Sequence, residues 1–336
     1  MFASFVKGKK MIKQKIIIKL GDSDTFVYKE HQNIVYTYPS KISCKDNGKK
    51  GKIYYNFGKN AQVNLDEKIY VEKLFEKNLI KNLDDASYFL TQVLKDVTEE
   101  NFNQIELILI LNCTLSAEER KKYKMLTLNV GIGKSIIVLS PVALGLGVEQ
   151  KLSLIVNIGT NITEIAYIKD NQIVDAYSIE LGGKVIDECI AKELVKNCSV
   201  AINEANAELI KKEVGSLYED EQTVIGIAGI DVNSRDCKKV QINSQDIYPI
   251  LNIFYSKLCE AIIIFLNGLS FEDFNDISFQ GILITGGNSK ISGIESFIRE
   301  RVKINVSIVP IKEMFLNSCK KMISSGKLVK EIVEKN

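Results

Sequence analysis

The feature that most constrains this chain is a phrase it states twice. Residues 152–167 read LSLIVNIGTNITEIAY: an apolar run of the kind a buried strand makes, a turn through Gly159 and small polar residues, then a second apolar strand over 165–168. Residues 15–28, KIIIKLGDSDTFVY, follow the same order of events, with Gly21 matching Gly159 and Thr25 matching Thr163 at one common offset. After a one-residue slip, Ile34-Val35 answers Ile173-Val174 behind the polar turns His31-Gln32-Asn33 and Asp170-Asn171-Gln172. A hairpin of this kind turns backbone N–H groups and hydroxyls into a cleft, where an anionic group can be held. An internal repeat of this size predicts two similar α/β domains facing each other, each presenting one hairpin to a shared central cleft.

The bulk properties narrow the function further. A chain of 336 residues has room for two domains with sizeable cores. The net charge is only +2 and lysine far outnumbers arginine, so no electrostatic case exists for a nucleic-acid partner. The seven cysteines are scattered and never form a CxxC pair, which reads as reduced thiols in a cytosol. His31 is the single histidine. Ser-His-Asp and Cys-His catalysis and a histidine metal site are disfavoured accordingly, and no metal ligand set is expected. No secretory signal or membrane span is expected. The apolar run AIIIFL at 261–266 falls short of the ~20 residues a span needs and reads as the buried part of a long helix.

Along the chain, residues 1–14 (MFASFVKGKKMIKQ) set Phe2, Phe5 and Val6 beside Lys7, Lys9 and Lys10. Such a face can lie in an anionic membrane surface, or be a basic chain terminus. Residues 36–77 read as a small exposed insertion with little core. Apolar spacing predicts a helix over 84–97, a buried strand over 105–111, and a helix opened by Ser116. GIGKS at 131–135 imitates the end of a phosphate-binding P-loop, but Leu128 occupies the place of its first glycine and the lysine leads into a strand. Ser140-Pro141 starts a helix. Helices over 187–195 and 203–214 and strands over 222–227 and 239–242 follow. A long helix over 245–267 is expected, capped by Ser244 with Pro249 in its first turn. A strand over 280–285 enters Gly286-Gly287-Asn288-Ser289, followed by a helix over 291–301 and a strand over 305–309. Glycines between strand and helix suit a nucleotide's approach to backbone.

With these pieces in order, the chain resembles the bacterial actins, the MreB family most closely. The resemblance rests on LGDSDTFVY, SAEER, SPVALGLG, NIGTNITEIAYIKDNQIVDAYSIELGGKVIDE, AELIKKEVGS and ILITGGNSKISGI, and covers nearly the whole length. It implies an actin-like α/β fold of the actin, hexokinase and heat-shock chaperone superfamily, with four subdomains around the cleft. These would be 15–35, 78–149 and 310–336; 36–77; 150–185 and 245–309; and 186–244, with 1–14 as a membrane-binding segment. It further implies ATP as cofactor, homopolymeric filaments on the inner face of the cell membrane, and partners in cell-wall synthesis or division. Carried over by position, Gly21, Asp22, Ser23, Asp24 and Thr25 form the first phosphate hairpin, and Gly159, Thr160, Asn161 and Thr163 the second. Glu208 and Lys211 flank the ribose and base, Gly286, Gly287, Asn288 and Ser289 the adenosine, and Glu119 orients the attacking water.

The departures fall at the chemistry. Where the family has an aspartate two residues before each hairpin glycine, to hold the water shell of magnesium, this chain has Lys19 and Asn157. Asp22 and Asp24 add negative charge; a carboxylate ~5 Å from a phosphate charge costs roughly 3 kcal/mol at an effective dielectric of ~20. Ser116-x-x-Glu119 is also a capping box, and Glu208 with Lys211 also suits a solvated helix pair. The expectation is a divergent MreB-like filament protein in which ATP binds and hydrolysis is weak or silent. A non-hydrolysing actin-fold membrane adaptor is the alternative, ahead of a small-molecule kinase or a chaperone ATPase.

Overall fold

A computed structural model of the chain describes residues 14–30, 32–48, 51–62, 68–148 and 152–324. His31 and the residues expected to meet a membrane, Phe2, Phe5, Val6, Lys7, Lys9 and Lys10, lie outside the described residues. The described residues divide into two units, one reaching to Val148 and resuming at Phe315, the other lying between and ending at Met314.

The first unit opens with a meander of β1 (Gln14–Lys19), β2 (Asp24–Lys29) and β3 (Val35–Pro39). A small sheet follows, built from β4 (Lys41–Asp46), β5 (Lys52–Phe57) and β6 (Tyr70–Lys73), then a hairpin of β7 (Phe75–Glu76) and β8 (Leu79–Ile80). Next come α1 (Leu83–Val97), β9 (Ile105–Leu111), α2 (Ala117–Val130), β10 (Lys134–Leu139) and α3 (Ser140–Gly145). The main sheet runs β10-β9-β1-β2-β3, with β9 parallel to both β1 and β10. Helix α1 forms because Ala86, Phe89, Leu90, Val93, Leu94 and Val97 fall on one face, and all six are buried. They pack on Ile16, Ile18, Leu107 and Leu109 from one face of the sheet. Ile17, Ile108 and Ile110 on the other face are buried as well, which is why β1 and β9 read as continuous apolar runs.

The second unit repeats this plan. Its strands are β11 (Leu152–Ile158), β12 (Thr163–Lys169) and β13 (Gln172–Ile179), again a meander, with Asp170 and Asn171 both at positive φ in the tight turn between β12 and β13. Then come α4 (Gly183–Cys198), β14 (Val200–Ala201), α5 (Glu204–Val214), β15 (Val224–Asp231), β16 (Cys237–Asn243), α6 (Ser244–Asn267) and α7 (Phe271–Gln280). Strand β17 (Ile282–Thr285), α8 (Ile294–Val302), β18 (Val306–Ile308) and α9 (Ile311–Ser324) close the chain, with α9 passing into the first unit at Phe315. The sheet order β13-β12-β11-β17-β18, with β17 parallel to both neighbours, is that of the first unit, strand for strand. Leu154, Val156 and Ile158 face a core shared with α4, α6 and α8.

Four local expectations need correction. Asn243, not Ser244, caps α6: its side chain accepts from the Asp246 N–H at 2.9 Å and the Asp246 carboxylate accepts from the Asn243 N–H. Pro249 therefore sits inside the helix, past its first turn. Gln280 ends α7, a helix the sequence reading lacked, and β17 begins only after Gly281 at φ +90. The helix expected from Ile291 starts at Ile294, behind a 3-10 turn over Gly287–Lys290. The 36–77 region does hold a core: Ile42, Cys44, Leu74 and Phe75 are buried, and β4 is the central strand of its sheet. Helix α6 alone among the described helices is long and apolar enough to cross a membrane, but Leu251, Tyr255, Leu258, Ile262 and Phe265 lie in the core.

Candidate functional site

The two glycine turns share one geometry. A Cβ on Gly21 would meet the Asp24 carbonyl oxygen at 2.8 Å, and a Cβ on Gly159 would meet the Ile162 carbonyl oxygen at 2.8 Å. Each turn therefore closes only around a residue without a side chain.

In the first unit the turn is braced from outside. Asp22 Oδ1 accepts from the Asn78 N–H at 2.8 Å, at the tip of the β7–β8 hairpin, where Lys77 and Asn78 are both left-handed. The Ser23 carbonyl accepts from the Ser40 N–H at 2.8 Å, and Thr25 Oγ1 lies 2.9 Å from Ser40 Oγ. Asp24 is exposed. Lys19 ends β1 between Phe26 and Ile110. Beyond β9 and β10 stand two buried side chains that the sequence reading missed. Asn112 Nδ2 and Ser140 Oγ have no hydrogen-bond partner among the described residues. They lie at the carboxyl ends of parallel strands, where open α/β sheets take their ligands.

In the second unit three segments converge. Gly159 O accepts from the Gly183 N–H at 3.0 Å and from Asn288 Nδ2 at 2.8 Å, and the Lys184 N–H donates to Thr160 O at 2.8 Å. The start of α4 is thus tied to the turn and to the loop after β17. Glycines make the approach possible. A Cβ on Gly182 would come within 2.3 Å of Thr160 O, one on Gly183 within 2.1 Å of Asn288 Oδ1, and one on Gly286 (φ +102) within 2.3 Å of Ile158 O. Open space lies at Gly287 instead. Thr163 Oγ1 donates to Leu181 O, Ser289 Oγ to Gly286 O, and the buried Tyr255 hydroxyl to Asn288 O at 2.7 Å. Asn161 lies in the same turn.

Asn157 belongs to a polar row. It is in register with Glu164 on β12 and Thr285 on β17, on the sheet face away from the core. Asn157, Glu164 and Thr285 are 8%, 5% and 0% exposed, and Asn157 Nδ2 donates to Glu164 Oε2 at 3.1 Å. Thr285 Oγ1 has no hydrogen-bond partner among the described residues. The matching row of the first unit is Phe26, Lys19 and Ile110, so the row is polar at all three positions in one copy only.

The remaining candidates have structural partners. Lys211 is buried, with Nζ 2.8 Å from Asp187 Oδ1 and 3.0 Å from Gly183 O, so it anchors the first turn of α4. Burial pushes the Asp187 carboxyl above its ordinary value, and the Lys211 ammonium pulls it partly back. Glu208 pairs with Lys212 at 2.6 Å on the exposed side of α5, one turn along. Glu119 closes the capping box: its carboxylate accepts from the Ser116 N–H at 2.6 Å, which holds it below the usual carboxylate range.

Chemically, each glycine turn taken by itself suits an anionic, polar group such as a nucleotide phosphate, whereas the first N–H groups of α4 are already given to Gly159 O and Thr160 O. A magnesium ion carried by hairpin carboxylates does not fit. Lys19 brings a cation, the Asn157 amide is committed to Glu164, and no group of three or more acids, cysteines or histidines among the described residues is arranged to hold a metal ion.

The MreB/Mbl protein family matches residues 13–327. The chain belongs to the MreB/Mbl family. Among MreB/Mbl relatives, the cell shape-determining protein MreB of Escherichia coli (strain K12) is 26% identical over 314 residues, covering 90% of each chain. The crystal structure of MreB 5 of Spiroplasma citri bound to AMPPNP superposes with a TM-score of 0.87 at 23% identity, over 95% of this chain and 98% of that one. A MamK double helical filament superposes at 0.79 and 15% identity, over 92% and 99%. The actin-like fold that the resemblance implied is the fold of this MreB/Mbl protein.

Proposed function

We propose that this MreB/Mbl chain is a filament-forming cytoskeletal protein of cell shape and cell-wall organisation that binds ATP and hydrolyses it weakly or not at all. The reading is supported by the relatives: one is named for cell shape, one is bound to AMPPNP and one is a filament. The observation that carries it is the matched closure of the Gly21 and Gly159 turns, the second joined to the start of α4 and the Gly286 loop. Gly286, Gly287, Asn288 and Ser289 would receive the adenosine. Hydrolysis is held down because Lys19 and Asn157 supply no carboxylate for magnesium, and phosphoryl transfer leans on that metal. Four subdomains with the boundaries given above, a cytoplasmic location on the inner membrane face through residues 1–14, and wall-synthesis or division partners complete the proposal.

Sedimentation over a concentration series, with and without magnesium-ATP, tests it. Pelleting above a critical concentration is expected; a chain soluble in both conditions would turn the reading towards an adaptor. Deleting residues 1–10 is expected to abolish co-flotation with anionic liposomes without lowering stability, and unchanged flotation would end the membrane assignment.

A further inference from the structure

Asn112 and Ser140 are buried polar side chains that stand side by side in the first unit. Strand β9 ends at Leu111, in register with Leu139 at the end of β10, so the two residues follow as neighbours on adjacent parallel strands. On the other side of β9, Asn112 and Gly21 each stand two residues past the paired Lys19 and Ile110. Gly21, Asn112 and Ser140 therefore form a row across three strand ends, each step one strand spacing of ~4.8 Å. The whole row belongs to the first unit.

The Asn112 amide is oriented by its own loop. Its Oδ1 accepts from the Thr114 N–H at 2.8 Å and from the Thr114 hydroxyl at 2.6 Å, which turns Nδ2 the other way. Asn112 is 6% exposed and Ser140 1%, yet Asn112 Nδ2 and Ser140 Oγ have no hydrogen-bond partner among the described residues. Buried donors left unmatched cost stability. The internal repeat shows that the fold does not require them: the same register puts Gly287 and Ile311 at these two places in the second unit. The donor count then defines the ligand. The amide offers two N–H donors and the hydroxyl one, against a single acceptor in the hydroxyl oxygen. A group made of acceptor oxygens fits.

We propose that Asn112 and Ser140 receive the terminal phosphate of a nucleoside triphosphate whose preceding phosphate lies on the Gly21 turn, so that the chain selects triphosphate over diphosphate. The inference rests on the ATP-binding reading and deepens it. Donors already stripped of water hold an oxyanion more strongly than donors in solution. Both side chains are neutral, so this contact does not draw on a carboxylate-held magnesium.

The test titrates full-length chain, in one magnesium buffer, with AMPPNP and with ADP by competition against a fluorescent nucleotide. Melting of the nucleotide-free chain is followed alongside. Asn112→Asp keeps the acceptor for Thr114 and exchanges both donors for a carboxylate oxygen; Ser140→Ala removes the hydroxyl alone. AMPPNP affinity should fall roughly thirtyfold or more in Asn112→Asp and about fivefold in Ser140→Ala, with ADP affinity moved less than about twofold in either. Ser140→Ala should melt no lower than the parent, because it removes an unmatched buried group. Equal losses for the two nucleotides, or an unchanged AMPPNP affinity in Ser140→Ala, would overturn the inference. Lower melting of Ser140→Ala with both affinities intact would overturn it as well, and would assign the pair to an ordered structural water. Should Asn112→Asp fail to fold, Ser140→Ala decides alone. A parent that binds neither nucleotide would remove the ATP reading itself, whereas unaltered binding of both by every variant would leave that reading and remove only the selection.

Discussion

The carboxylate of Asp22 accepts a 2.8 Å hydrogen bond from the backbone N–H of Asn78, 56 residues along the chain. This negative charge, unfavourable to a nearby phosphate, thus has a structural use: it holds the first glycine turn to the tip of the β7–β8 hairpin. A hydrogen bond to a charged acceptor contributes about 1.5–3 kcal/mol. Asp22→Ala should lose about that much stability in urea denaturation, whereas Asp22→Asn, which keeps the acceptor, should lose less than half of it. Nucleotide affinity should rise less than tenfold in Asp22→Asn; a larger gain would mean that the carboxylate opposes the ligand after all.

Asn157→Asp restores the family's aspartate but places it against Glu164. Two carboxylates ~3 Å apart in a buried row raise each other's protonation range. A carboxyl whose folded value is raised costs stability above that value, and the cost vanishes as pH falls through it. The variant should therefore melt at least ~3 °C lower than the parent at pH 7.5 and recover on acidification. Magnesium should also rescue it. Combined with Lys19→Asp it should gain magnesium-dependent phosphate release. Unchanged melting at pH 7.5 would show that the row tolerates two charges.

Lys211→Met leaves the Asp187 carboxylate buried without its cation, a change costing on the order of 3–5 kcal/mol. Lys211→Met with Asp187→Leu should regain most of that loss, because no charge then stays behind. Chemical denaturation of the two variants separates an anchor of α4 from a nucleotide contact. If Lys211 touched ligand instead, both variants would lose affinity equally while stability barely changed.

Glu119 can be assigned by two substitutions. Glu119→Ala should cost about 1 kcal/mol as a lost cap, and Glu119→Gln much less, since an amide still accepts from Ser116. The carboxyl is held below its ordinary value of 4.5 by the Ser116 N–H, so its contribution is complete above that pH and fades as pH falls through the lower folded value. The parent should lose this increment in acid while Glu119→Gln does not. Abolished phosphate release in a fully stable Glu119→Gln would assign the residue to catalysis.

Much of the architecture was legible because it is local or repeated. The two meanders follow from matched glycines and polar turns, and α1 from a stripe of six apolar residues. The capping box at Ser116 could be read from spacing alone. Helix α7 was not legible: Phe271 and Phe279 are exposed and Ile277 is its one buried residue, so no apolar period marks it. Strand β4 hid among lysines in a stretch that looked solvated. At the site, Gly286 was expected to admit a close neighbour, and that neighbour is the Ile158 carbonyl. The Lys211–Asp187 pair, the Asn157–Glu164–Thr285 row and the buried Asn112 and Ser140 depend on which strand ends lie side by side. No local pattern carries that information.

The division of the chain into one continuous and one interrupted unit bears on its synthesis. Residues up to Met314 suffice for the second unit, whose sheet draws only on 152–308. The first unit is translated earlier yet stays unfinished, because Phe315, Cys319 and Met322 are buried there and the Phe315 ring centroid lies 5.8 Å from that of Phe26. On the ribosome the later half can therefore reach its native core while the earlier half still exposes apolar surface. A nascent chain halted before residue 315 would be the form most in need of a chaperone.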